Sequence, residues 1–501
     1  MAWLLRAVPY SETSVGTVTL YFSDVGFTTE PGDSPANTYW DRRIHVPLSV
    51  QQSLFRGTAL GGRSEISFGS IVLANQDGGL DDLSDYEWDG RLIEVLFSAL
   101  AAPVLADFAV VFSATAERMV PGDEVLIEVR DLQILLEEPY QPARFLGTGG
   151  AEGPAELLDR RKPRLLGIRR QFVPVALDRA NLVWCYHDGP VGGPLAVRDA
   201  GVALTFDANY ASYAALIAAT IPAGFYGTCN ALGMIRLNAQ PTGVLTMDAE
   251  GAKPGATFLS TFADLCVEAV THSTDLLVGD FATGTVSAMN TTAPQTLGHW
   301  YDGAGEAVLR NVLDELAGSV GAFYGFNDAR KIVLGRLDAP AASADHEFDE
   351  RHILDLRPLP VERRLRSQIV AWGQRVRVMN DDEVAGSVTG AARTALTEEW
   401  RLETASSTSV ATASLLSLEE RLNSSLDSST DAQAEAARRL ALFGARRRSF
   451  EVTAEARAGL FPGQTVQLQS LRFGLDAGAK FRLLRLDRDA ANEQITMEVW
   501  G

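Results

Sequence analysis

Six carboxylates crowd one short stretch of this sequence. In "GSIVLANQDGGLDDLSDYEWDGRLIEVLF", Gly69 to Phe97, Asp77, Asp81, Asp82, Asp85, Glu87 and Asp89 lie between two apolar runs. Oxygen donors at that density suit a calcium ion, with Asn75, Asp77, Asp81 and Asp82 as the candidate ligands. An EF-hand, however, alternates acids or amides, then needs Gly, then Glu at the twelfth position. "NQDGGLDDLSDYEW" breaks that rhythm. Asx turns and helix caps use the same residue types, so the stretch reads as a compact loop anchored inward by Leu80, Leu83 and Trp88.

The other reactive residue types are sparse. The six histidines, His45, His187, His272, His299, His346 and His352, form neither H-x-x-x-H nor H-E-x-x-H. His187 follows Cys185 by two positions in "WCYHDG", which puts both on one face of a strand. No third group marks them as a nucleophile and base. The three cysteines, Cys185, Cys229 and Cys266, lack C-x-x-C spacing and read as buried free thiols rather than disulfides or zinc ligands. Gly147, Gly149 and Gly153 miss the G-x-G-x-x-G spacing of a dinucleotide site and read as a flexible or interface loop. There is no G-x-S-x-G elbow and no P-loop. Carboxylate pairs for glycan hydrolysis are a matter of three-dimensional separation. Trp300, Tyr301 and Trp400 are sugar-platform candidates, with core packing as the competing reading. The sequence thus nominates no catalytic, metal-ligating or cofactor-binding residue and no cofactor, and the chain is expected not to be an enzyme.

Elements must be found to carry whatever the chain does. Its 501 residues, 46 % apolar and 22 % charged, suffice for several domains with proper cores. A net charge of −20 argues against binding nucleic acid through its phosphates and for repulsion between free subunits. The basic residues are mostly arginine, with Lys162, Lys253, Lys331 and Lys480 the exceptions. "MAWLLRAVPY" lacks the apolar core of a signal peptide. Leu96–Ala114 nears membrane-span length, but Pro103 and Asp107 interrupt it, so two strands and a turn are expected there. The default is a soluble protein of a reducing cytoplasm with no integral membrane segment.

Strand patterns dominate residues 1–145: Thr17–Ser23, Ser64–Ala74, Arg91–Ala99, Asp107–Met119 and Glu124–Leu136. They predict an N-terminal β-barrel or sandwich. Residues 146–250 read as a linker plus a first α+β unit, and 251–360 as a second. Both units run from an apolar helix-like segment through "FYG" and a turn to "RLNA" or "RLDA". A helix is expected over Ala256–His272, its stripe of Leu259, Phe262, Cys266 and Val270 making Cys266 a core thiol. Residues 361–501 read as a β-rich domain. It should hold a strand at Arg364–Met379, a polar excursion over 380–430, and a helix over 431–447 capped by Thr430 with Gln433. On that helix Ala436, Leu440 and Phe443 share a face. Strands follow at Arg446–Arg457 and in a hairpin over Lys480–Gly501, its turn near Asp487–Asn492. The fold class is therefore mainly β with α+β units.

Several longer phrases carry a resemblance. "FGSIVLANQDGGLDDLSDYEWDGR", "LGTGGAEGPAELLDRRKPRLLGIRRQFVPVALD", "GVALTFDANYASYAALIAATIPAGFYGTCNALGMIRLNAQPTGVLTMDAEG" and "GLDAGAKFRLLRLDRDAANEQITMEVWG" resemble tail proteins of tailed bacteriophages and prophages. The group is that of the distal tail, the baseplate hub or tail-tip proteins. The resemblance implies a multi-domain, β-barrel-containing structural virion protein, assembled as a trimeric ring. Such a ring closes the tail tube and contacts the distal tail, tape-measure and fibre or receptor-binding proteins during host adsorption and DNA delivery. It also implies synthesis in the host cytoplasm and a final place at the tail tip. Some tail-tip relatives bind an iron–sulfur cluster through four cysteines, and three cysteines here give that no support. Two alternatives stand beside the hub: another tail-end component, such as a distal-tail ring or adhesin, and a glycan-binding or glycan-cleaving β-scaffold protein in contact with host-surface glycan.

Overall fold

A computed structural model describes residues 2–55, 68–130, 132–327, 329–360, 362–457, 459–489 and 492–501. It is mainly β, with 41 % of residues in strands and 20 % in helices. The strands obey the period-2 rule that the sequence displays. In Glu124–Arg130, for example, Val125, Ile127 and Val129 point inward and the residues between them outward.

The largest sheet has fifteen strands and contains both ends of the chain. Its path runs Ile353–Pro358, Ser449–Glu455, Gln494–Trp500, Leu475–Asp489, Ile44–Ser53, Phe68–Ala74, Glu124–Arg130, Ala109–Val120, Leu92–Ser98, Ala2–Ala7, Leu20–Ser23, Tyr39–Arg42 and Phe27–Thr28, with His346–Phe348 and Thr465–Ser470 attached beside Leu475–Asp489. The join is antiparallel, Ser49 to Ser53 lying opposite Asp489 to Arg485. The path ends open at Phe27–Thr28 and at Ile353–Pro358, so the described strands do not close the expected barrel. The ladder that could have closed residues 2–130 on themselves is used instead to recruit the C-terminal strands.

Strong twist and curl come from bulges. Between Val95 and Leu96 the register against Ala109–Val120 shifts by one residue, so that Val111 and Phe112 are both buried. The curled face encloses Leu5, Val50, Leu73, Val95, Phe112 and Ile127. A second core under the C-terminal strands holds Phe450, Val466, Phe481, Leu483 and Met497. Each such side chain, fully buried, contributes about 1.5–3 kcal/mol.

Between these parts lie two five-stranded sheets and a helical layer. Helix Phe262–Ser273 buries Phe262, Leu265, Cys266, Ala269 and Val270 against helix Leu309–Val320, which contributes Val312, Leu313, Leu316 and Val320. The helix-then-hairpin order occurs twice. Helix Tyr213–Ala218 precedes the hairpin Phe225–Cys229 and Met234–Leu237, and helix Leu309–Val320 precedes Ala322–Phe326 and Ile332–Arg336.

Several boundaries differ from the sequence reading. Leu132–Glu137 is a short 3-10 helix rather than the end of a strand: Leu132, Gln133 and Leu136 are all buried, and neighbours 132 and 133 would point to opposite faces of a strand. The expected helix at Ala256 starts only at Phe262, where the Thr261 hydroxyl accepts from Asp264 N. Ser428, not Thr430, caps helix Ser429–Gly444, its hydroxyl accepting from Asp431 N at 3.0 Å. The strand expected to reach Met379 stops at Trp372.

The polar stretch 380–430 is not an excursion. Arg401–Ser406 and Leu418–Asn423 flank Leu365–Trp372 in a three-stranded sheet, one antiparallel and one parallel. As exposed edge strands they need no apolar alternation, which hid them. Leu96–Ala114 forms parts of two strands around a 3-10 turn at Leu105–Asp107, as expected. No helix among the described residues is long and apolar enough to cross a membrane. Ser64 to Ser67, Asp328, Ala490 and Ala491, which bear on the expected strand at Ser64–Ala74 and on two turns, lie outside the described residues.

Candidate functional site: buried ionic networks between the sheets

The acidic loop binds itself. Asn75, buried, donates from Nδ2 to Asp81 Oδ1 at 2.9 Å and to Gly122 O at 3.0 Å, and its Oδ1 accepts from Leu80 N at 2.7 Å. Asp77 accepts from Arg43 Nη1 at 2.5 Å and from Gly79 N at 3.1 Å. The Arg43 guanidinium, then the Gly79 amide, hold the Asp77 carboxyl down at about 2. Leu80, Leu83 and Trp88 are buried, and the Trp88 indole donates to Leu83 O. The loop is a turn-rich connector anchored as its sequence indicated. Among the described residues no group of three or more His, Cys, Asp or Glu is placed to hold a metal ion.

The other sequence candidates are equally committed. Cys185 Sγ donates to the His187 carbonyl at 3.2 Å, and burial pushes its thiol up to about 12. His187 Nδ1 accepts from Leu165 N at 3.1 Å, which leaves the proton on Nε2 and removes Nδ1 from base chemistry. Cys266 is fully buried and burial raises it likewise to about 12. The glycine loop closes on itself, Gly147 N donating to Glu152 O and Gly149 N to Gly153 O. Trp300 stacks on Phe172 with ring centres 4.3 Å apart, Tyr301 is buried, and Trp400 is half-buried.

The networks that matter were not legible in the sequence. The first surrounds Arg164, at the start of strand Arg164–Phe172. Its guanidinium donates to Asp188 Oδ1 at 2.8 Å and to Glu268 Oε1 at 2.6 Å. His272, one turn beyond Glu268 on helix Phe262–Ser273, places Nε2 3.3 Å from Asp188 Oδ2 and 2.9 Å from Gln141 Oε1. Burial opposes the charge on Asp188, yet Arg164 holds that carboxyl down at about 2. Burial and then Arg164 press His187 down to about 3 and His272 to about 4, so both imidazoles are neutral. The cluster pins the helical layer to the sheet.

Two further clusters follow along the same strand. Arg169 reaches Gln374 Oε1 at 2.8 Å and Glu315 Oε1 at 3.4 Å. Glu315 also accepts from Ser425 Oγ at 2.6 Å and lies 3.0 Å from His299 Nδ1. Burial disfavours the Glu315 charge, but His299, Arg169 and Ser425 keep its carboxyl down at about 2. Arg170 is clamped by Asp427 through two bonds of 2.7 and 2.6 Å, 257 residues away in sequence. On helix Ser429–Gly444, Glu435 is buried between Arg438 at 2.7 Å and Arg439 at 2.8 Å. The buried face of that helix is thus Ala432, Glu435, Ala436, Arg439 and Leu442; of the expected stripe Ala436 is buried, while Leu440 and Phe443 are half-buried. The i, i+4 spacing of Glu435 and Arg439 was no guide to burial, because an exposed pair has the same spacing. In Arg164–Phe172 the signal was Arg164, Arg169 and Arg170, three charges in a strand that also carries Leu165, Leu166, Ile168 and Phe172.

No protein-family model matches the chain, and no curated protein matches it in sequence. Solved structures do. The chain is similar to a prophage tail protein from Listeria monocytogenes EGD-e at 7 % identity, covering 100 % of this chain and 94 % of that one with a TM-score of 0.43. It is similar to a tail protein from Neisseria meningitidis MC58 at 10 % identity, covering 93 % of each chain, with a TM-score of 0.37. It is also similar to the 43 kDa tail protein of prophage MuSo2 from Shewanella oneidensis at 10 % identity, covering 100 % and 98 %, with a TM-score of 0.36. These three solved structures are of tail proteins, the group that the sequence resembles.

Proposed function

We propose that the chain is a structural subunit of a bacteriophage tail, placed at the hub or tip of the baseplate. The observation that carries this reading is the single ladder pairing Ile44–Ser53 with Leu475–Asp489, which makes the first and last parts of the chain one frame. A subunit that holds register between neighbours under load needs such a frame, and buried ion pairs fix the helical layer to the adjoining sheets. Apolar side chains stand exposed in neighbouring pairs, Leu277 with Val278 and Leu415 with Leu416, as surfaces covered on assembly do. In this reading the subunit forms a trimeric ring that continues the tail tube and takes distal tail and fibre proteins on its two faces. Its contribution is geometric and it performs no catalysis.

Mass photometry of the purified chain and electron microscopy of particles bearing it test the proposal together. The expected results are a three-subunit species and density for the chain at the distal end of the tail. Particles that carry the chain elsewhere, or lack it, overturn the reading.

A further inference from the structure

The strand ends that carry Arg170, Arg198 and Asp248 face the end of strand Leu365–Trp372 and helix Gly390–Thr397 across a cavity of about 340 Å³. Its charged lining consists of Arg170, Arg198, Arg375, Arg401, Asp248 and Asp427. Four arginines against two aspartates leave an excess of two positive charges, in a protein whose net charge is −20.

The arginines fall into two pairs with different situations. Arg170 is held by Asp427, and Arg198 is held by Asp248 through two bonds of 2.8 Å each. Asp248 also accepts from Gln171 N, so both aspartates are committed within the wall. Arg375 is only 8 % exposed, yet its guanidinium has no carboxylate or hydrogen-bond partner among the described residues. Arg401 lies over the Trp372 ring at 5.1 Å and has no ion pair either. Burial first, then the field of Arg401, presses the Arg375 guanidinium below its ordinary range, whereas Asp248 offsets this and Glu398 offsets it least.

An unpaired buried charge is among the costliest features a fold can carry, several kcal/mol in typical cases, unless something outside the chain neutralises it. A guanidinium presents a planar fork of donors that matches a tetrahedral or planar oxyanion, and stacking on an aromatic ring holds such a fork in place. Two forks without a carboxylate partner among the described residues, beside a cavity with an excess of two positive charges, match a doubly charged anion. We propose that this cavity binds a phosphate-class oxyanion through Arg375 and Arg401, with Arg170 and Arg198 fixed behind them by Asp427 and Asp248. Inorganic phosphate and a small phosphate monoester share that chemistry, and the cavity has room for either.

Isothermal titration calorimetry on the full chain tests this with inorganic phosphate, glycerol 3-phosphate and succinate, using chloride at equal ionic strength as reference. Saturable binding of one phosphate-class anion per chain is expected, weakened about tenfold or more by R375Q and by R401Q, since each removes a charge-assisted contact. Preference for inorganic phosphate assigns the site to the free ion, and preference for glycerol 3-phosphate assigns it to an ester; either supports the proposal. Heat no greater than with chloride, affinity unchanged in both variants, or equal binding of succinate overturns it. Arg401 is exposed, so R401Q decides the matter by itself should R375Q fail to fold.

Discussion

Arg164 and Asp188 form a buried ion pair 2.8 Å apart, with 3 % and 6 % of their side chains exposed. Removing Asp188 leaves the buried Arg164 with Glu268 as its one carboxylate, and removing Arg164 leaves both carboxylates uncompensated. Asp188→Ala is expected to destabilise the chain by about 3–5 kcal/mol, read from the urea midpoint. Arg164→Met should cost at least as much, because it leaves two carboxylates, Asp188 and Glu268, without their cation. A variant Asp188→Ala as stable as the parent sinks the claim that this pair holds the helical layer.

The same cluster sets an acid limit on stability. His187 and His272 have folded values of about 3 and about 4, below the ordinary 6.5. Between 6.5 and those values the unfolded chain binds protons that the folded chain refuses, so stability is full above 6.5 and falls as pH drops. Each histidine removes about 1.4 kcal/mol per pH unit in that window. Asp188, held at about 2 against an ordinary 3.8, adds its own loss below 3.8. Urea midpoints at intervals from pH 7 to 4 should decline steadily, and His272→Gln should flatten the slope. A flat profile in the parent contradicts the buried neutral imidazoles.

Thiol chemistry offers an independent check. Cys185, Cys229 and Cys266 are buried and burial raises all three, Cys185 and Cys266 to about 12. The native chain should therefore be inert to a thiol-specific disulfide reagent at pH 8, with all three groups titrating in denaturant. Rapid labelling of the native chain would show that one of these sites opens.

Asn75 is the keystone of the acidic loop, with three hydrogen bonds made from a buried side chain. Asn75→Ala should cost about 1–3 kcal/mol by leaving buried partners unpaired. Asp77→Ala, at an exposed ion pair, should cost no more than about 1 kcal/mol. Calcium should stabilise neither parent nor variants, and a calcium-dependent rise in melting temperature would restore the metal reading.

The ladder that joins the two ends of the chain is testable through Leu486, fully buried and opposite Gln52 in the register. Leu486→Ala should cost about 2–5 kcal/mol. Because the ladder is continuous, the loss should appear in one transition seen by probes in both the N-terminal and C-terminal strands. Two separated transitions would mean that the ends fold as independent domains.

Legibility in the sequence followed locality. Strand Glu124–Arg130 and helix Leu309–Val320 were readable because one face of each is apolar at the period of its own backbone. Strands Arg401–Ser406 and Leu418–Asn423 were not, since edge strands exposed on both faces leave no such period. The Ser428 cap was missed in favour of Thr430 because three hydroxyl residues, Ser428, Ser429 and Thr430, stand in a row, and Ser428 is the one whose hydroxyl accepts from Asp431 N.

Composition and periodicity alone determined that the chain is mainly β, that it carries helix-then-hairpin units, and that the acid run near Asp81 is loop chemistry. The tertiary structure alone decided that the two ends share one sheet, that Arg170 meets Asp427 across 257 residues, and that Arg375 is buried beside a cavity with no side-chain partner among the described residues. The reason is physical. Backbone periodicity is a property of neighbours in sequence, whereas the partner of a buried charge is set by which distant strand packs over it.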